Sequence, residues 1–142
     1  MAIIQFHYPY KGLPFRQVKA IKQAIKDLFA AEGRALMRLD YIFCSDEYLL
    51  ELNKGFLNHD YFTDIVTFDL SESADNILGE LYISLDRVKD NSKEIGVPYS
   101  TELLRVIFHG ALHLCGYKDK TKREISLMRS KEDHYLHLFA AK

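Results

Sequence analysis

Only two of the 142 residues are cysteine, Cys44 and Cys115. Two thiols build no disulfide framework and fit a reduced, cytoplasmic protein. No apolar run approaches the ~18 residues that span a bilayer, and the N-terminus carries no signal-peptide pattern, so no membrane partner is expected. Neither sign of charge dominates: 19 Lys and Arg stand against 20 Asp and Glu, a net charge of −1. A nucleic-acid binder is usually more basic, so contact with a polyanion must come from a local patch. Internal repeats, low-complexity tracts and linkers are also missing, which leaves residues 1–142 as a single domain of ordinary size. What is present is a hydrophobic content of 48%, enough for a core and too much for disorder.

The apolar pattern predicts an α+β fold. Residues 1–8 (Ile3, Ile4, Phe6, Tyr8) read as a strand, and Pro9 to Pro14 as a turn. A helix is expected from Phe15, with Val18, Ile21, Ile25, Leu28 and Phe29 inward, ending at Gly33. Met37, Leu39, Tyr41 and Phe43 alternate as the apolar face of a second strand. Ser45 suits an N-cap for a short helix through Asn53, and residues 54–63 read as a loop. Ile65–Phe68 and Leu78–Ser84 read as strands of an antiparallel hairpin. Asp86–Ile95 reads as a weak helix. The strongest helix is expected to start at Ser100, with Tyr99 packing as a staple on Leu104. A last helix follows the capping box Thr121–Glu124, with Ile125, Met128, Tyr135 and Phe139 inward. The expected whole is a small mixed sheet of about four strands with about five helices packed on it.

Phe108 to Asp119 carries the chemistry. His109 and His113 are four apart, which on a helix puts both imidazoles on one face, one turn apart. Gly116 follows where a helix would stop. Asp119, three residues later, can return on a short loop and complete a three-ligand cluster. Two imidazoles and a carboxylate leave a tetrahedral divalent ion one open position for water. An amphipathic helix also acquires such a His pair by chance; the glycine stop and the acid behind it favour the metal. The spacing approaches that of some zinc peptidases, but Gly110 stands where those enzymes carry the glutamate that takes the water's proton.

The run His-Gly-x-Leu-His-Leu-x-Gly-Tyr, His109 to Tyr117, resembles the signature of the YbeY-type family of metal-dependent endoribonucleases, the ribosomal RNA maturation factors. Leu52-Asn53 with Asp60 and Thr63-Asp64-Ile65-Val66-Thr67-Phe68 is similar to a second family segment, and Gly79-Glu80-Leu81-Tyr82-Ile83 to a third. The likeness covers roughly residues 40–135. It implies a metal-dependent endoribonuclease acting on ribosomal RNA, with the small ribosomal subunit as partner. His109, His113 and Asp119 would hold one divalent transition metal ion, expected to be Zn2+. This chain departs from the family pattern at four places: Asp119 where a third His is usual, Leu57 for an Arg, Phe62 for a Pro, and Glu80 for an Asp. The Asp makes the donor set harder and widens metal choice.

Lys118, Lys120, Lys122 and Arg123 adjoin Asp119. Such a run is usually a solvated face, yet here it can also grip phosphate, and Lys118, Lys120 and Arg123 are the expected RNA contacts. Arg105 is a weaker candidate. Thr63 and Asp64 either orient substrate and ligands or simply start a strand. His134 and His137 lie off the inward stripe and are expected at the surface, as is the loop residue His59. Cys115 falls on the apolar stripe and reads as core. No residue clearly supplies the general base; Glu80 and metal-bound hydroxide are the two candidates. The alternative function is a ribosome-assembly factor with a structural metal, which the near-neutral charge and Leu57 favour. Peptidase activity is disfavoured by Gly110.

Overall fold

A computed structural model describes residues 2–57 and 62–141. The elements run β1 (Ile3–His7), α1 (Val18–Ala31), β2 (Leu36–Cys44), α2 (Asp46–Leu57), β3 (Ile65–Asp69), β4 (Ile77–Ser84), α3 (Leu85–Ile95), α4 (Tyr99–Leu114) and α5 (Lys122–Ala140). The sheet order is β1-β2-β4-β3. β2 pairs in parallel with β1 and with β4, while β3 closes antiparallel on β4. The sheet is therefore mixed, as the pattern predicted.

Strand alternation sorts the two faces. Ile4, Phe6, Leu39, Tyr41, Phe43, Leu81 and Ile83 enter the main core with α1, α4 and α5. Val66, Cys44 and Leu49 form a smaller core under α2, joined by Phe68 and Tyr82. Helix α4 lies deepest: Leu103, Ile107, Phe108, Ala111 and Leu112 are fully buried. The buried Tyr41 hydroxyl also donates to the Ile107 carbonyl, 2.9 Å. Glycines bring α4 close to the sheet. A Cβ on Gly110 would stand 2.4 Å from Leu81 Cδ2 and 2.8 Å from Ile65 Cδ1. One on Gly79 would stand 2.8 Å from Leu114 Cδ1.

Several boundaries differ from expectation. α4 starts at Tyr99 with Pro98 before it, and no side chain caps it, so Ser100 is not the cap. A cap contributes about 1 kcal/mol, against about 1.5–3 for each large apolar side chain buried; burial holds this helix without one. α1 begins at Val18 rather than Phe15, although Phe15 still packs on the core. α2 runs past Asn53 to Leu57, so residues 54–57 are helix, with acids in its first turn and Lys54 in its last favouring the dipole. Met37 is 45% exposed because β2 shifts register between Leu36 and Arg38. Ile125 is 48% exposed; the inward stripe of α5 is Met128, Glu132 and Tyr135. The Thr121–Glu124 capping box is formed as read. His59 and Asp60 lie outside the described residues.

Gly110→Ala should destabilise the fold by up to about 2 kcal/mol: roughly 1–3 for overpacking against Leu81 and Ile65, less the ~1 that alanine gains in a helix. The midpoint of denaturant unfolding measures it.

Candidate metal centre

The site forms where α4 ends. Gly116 has φ 109°, its N–H donates to the His113 carbonyl at 3.0 Å, and the Tyr117 N–H donates to Leu112 at 3.1 Å. This is a Schellman turn, which only a residue tolerating left-handed φ closes cheaply. The reversed chain carries Asp119 back over the histidines. Asp119 Oδ2 lies 3.2 Å from His109 Nε2 and 3.4 Å from His113 Nε2. Donors ~2.0–2.1 Å from a tetrahedral ion stand roughly 3.3–3.4 Å apart. One donor atom from each residue falls within 4.8 Å of the others, so the cluster can hold a metal ion. The donor set fits: two nitrogens and one oxygen, on side chains 21%, 33% and 38% exposed, leave an open side.

The return loop is pinned at both ends. The Tyr117 hydroxyl donates to Glu32 Oε1 at 2.6 Å, and Glu32 also accepts from Tyr135 and from Lys131. At the other end, the capping box fixes Thr121. Burial pushes the Glu32 carboxyl up, but its three donors outweigh that and hold it below the usual carboxylate range.

Glu132, which the sequence reading passed over, is the main addition. It is 4% exposed on α5, and its Oε2 accepts from His109 Nδ1 at 2.7 Å. That bond fixes Nδ1 as donor and turns the Nε2 lone pair toward Asp119. Arg105 holds the other oxygen, Nη1 to Oε1 at 3.0 Å, and reaches Asp133 with Nη2 at 2.7 Å. Arg105 is therefore engaged with carboxylates, which makes it a poor candidate for gripping phosphate. Burial alone would lower the His109 imidazole and raise the Glu132 carboxyl; the bond between them reverses both directions.

Two cavities meet at His109, Asp64 and Asp119. The larger, about 580 Å³, adds Thr63, His113 and Lys120. The smaller, about 270 Å³, adds Glu102, Arg105 and Glu132. Asp64 thus belongs to the site, and burial pushes its carboxyl up despite the nearby His109. Lys120 lines the cleft; Lys118 and Arg123 are exposed and do not line either cavity. Glu80, expected as a base, lies away from the site: Gly79 and Leu81 face α4, so Glu80 points to the opposite face of the sheet, where it accepts from the Tyr82 hydroxyl at 3.1 Å. It cannot be the base. His134 and His137 are exposed. Cys115 is buried and its thiol is pushed up to about 12 by burial, so it is core. The two cysteines are free.

Fold and site together define a class: a one-domain α+β protein with a three-donor cation site of the kind that metal-dependent hydrolases use. Comparison with known proteins gives the family. The sequence profile described as Endoribonuclease YbeY matches residues 10–140, and the chain belongs to that family. A Cytophaga hutchinsonii protein named endoribonuclease YbeY is 50% identical over 123 residues, covering 87% of this chain and 86% of that one. Its Flavobacterium psychrophilum counterpart is 43% identical over 140 residues, 99% of each chain. The solution structure of TM1509 from Thermotoga maritima is similar with a TM-score of 0.65 at 26% identity, covering 96% of this chain and 88% of that one.

Two outcomes follow. Glu132→Gln should weaken divalent-metal affinity about 10–100-fold, as removal of a carboxylate behind a ligating His does; metal titration against a competing chelator reads this. The Glu32 network contributes stability above the unfolded carboxyl value of about 4.3, lost as pH falls through the lower folded value. The stability gap between wild type and Glu32→Gln should therefore narrow on acidification below that value, as denaturation midpoints at neutral and acid pH will show.

Proposed function

We propose that this chain is a metal-dependent endoribonuclease of ribosomal RNA maturation, acting in the cytoplasm with Zn2+ as its ion. One observation carries the reading: among the described residues, three donors converge on the floor of an open cleft, with no fourth protein donor beside them. Structural zinc sites are closed and four-coordinate, whereas catalytic ones keep a position for water or substrate. The family membership and the names of the relatives support RNA as substrate.

His109, His113 and Asp119 hold the ion, and Glu132 orients His109. When bound, the ion supplies Lewis acidity and lowers the pKa of a coordinated water. Lys120, on the cleft wall, contacts a backbone phosphate, and Lys118 on the return loop and Arg123 in the first turn of α5 extend that contact. Asp64 takes the place of Glu80 as proton acceptor: it lies where both cavities meet, and its raised carboxyl suits taking and returning a proton.

Protein stripped of metal and reloaded with zinc should lose and regain cleavage of precursor ribosomal RNA. Asp119→Ala should lose at least about a hundredfold in rate, since the Lewis acid contributes several kcal/mol to the transition state. A fully loaded protein that cuts no RNA, yet loses thermal stability when stripped, would instead be the assembly factor with a structural ion.

A further inference from the structure

The smaller cavity contains a buried carboxylate without a hydrogen-bond partner. Glu102, on the first turn of α4, is 7% exposed and lines the cavity beside His109 and Asp119. Its nearest cation is Arg105 Nε at 4.0 Å, beyond hydrogen-bond reach, and the terminal nitrogens of Arg105 are engaged by Glu132 and Asp133. No hydrogen bond to the Glu102 carboxylate occurs among the described residues. Its oxygens are not sealed off, since Arg87 Nε is the one fully buried side-chain polar atom without a partner among the described residues; they open onto the cavity, where a bound group can donate to them. Burial accordingly pushes its carboxyl up, against the pull of Arg105.

The rest of the wall indicates what would supply those donors. Val106, Ile125 and Met128 give an apolar side, and the half-exposed Arg129 stands at the rim. Apolar walls, a guanidinium plane and one hydrogen-bonding edge are what a splayed-out nucleobase requires. About 270 Å³ lies just below the range of drug-sized sites and suits one base. Four carboxylates (Asp64, Glu102, Asp119 and Glu132) face Arg105 and Arg129 across this space, so a second cation is the competing occupant, which a metal-binding measurement separates from a base.

We propose that this cavity is a guanine-selecting subsite of the RNA-cleaving site, in which Glu102 accepts the N1–H and N2–H donors of a base flanking the bond to be cut. Guanine alone among the four bases sets two donors side by side on its Watson–Crick edge. Adenine and cytosine pair a donor with an acceptor, and uracil flanks one donor with two carbonyls. A carboxylate, which only accepts, matches guanine. This rests on the nuclease reading above.

Mapping every cut that the zinc-loaded protein makes in a randomised single-stranded RNA pool tests it. Wild type should prefer guanine at one position beside the cut by roughly tenfold to a hundredfold, the worth of one bidentate pair. Glu102→Gln, which turns one acceptor into a donor, should lose that preference whatever its overall rate. Wild type should also bind guanosine 5′-monophosphate more tightly than inosine 5′-monophosphate, which lacks the 2-amino group; this comparison decides the matter if the variant does not fold. Base-indifferent cutting, or a guanine preference that Glu102→Gln retains, overturns the subsite and leaves the nuclease standing. So does a second bound Mn2+ that disappears in Glu102→Gln while base preference stays, since the cavity would then be a cation site. A loaded wild type that cuts no RNA overturns the nuclease reading and the subsite with it.

Discussion

The hydrogen bond between His109 and Glu132 is the contact on which the rest of the site depends. It crosses from α4 to α5 at 2.7 Å, and both partners are mostly out of water. A lone buried carboxylate would be strongly unfavourable; here Arg105 satisfies one oxygen and the imidazole the other. The network therefore does two things. It welds the last helix to the deepest one, and it sets which imidazole nitrogen faces Asp119. Removing one member strands the others, so their effects should be strongly non-additive.

The three donors of the candidate cluster were legible because they are local. His109, His113 and Asp119 span eleven residues, and helical spacing plus one left-handed glycine determines where they point. The fold was legible for a similar reason: alternation in β2 and β4 and the broad apolar face of α4 specify layers without long-range information. Glu132 was not, because it sits 23 residues from its partner in a charged Lys-Glu-Asp run that reads as solvent-facing. A signal existed. Met128, Glu132 and Tyr135 fall on one helical stripe, and a charged residue between two inward ones invites a search for its partner.

Glu80 went wrong through strand parity. Its neighbours Gly79 and Leu81 face the helix, so its own side chain must face away, and one residue of offset separates the site from the far side of the sheet. Ser100 failed for an energetic reason: burial along α4 outweighs any cap, so a capping residue near its start carries little positional information. Arg105 looked like a weak phosphate candidate because the two acids that hydrogen-bond it, Glu132 and Asp133, lie on another helix.

The close approach of Gly110 to Leu81 and Ile65 reaches beyond stability. In the zinc peptidases that share this histidine spacing, the next residue bears the glutamate on which proteolysis turns. Here the sheet occupies the space that such a side chain would enter. Installing that acid in this scaffold would thus require making room beneath the helix first, at Leu81 and Ile65.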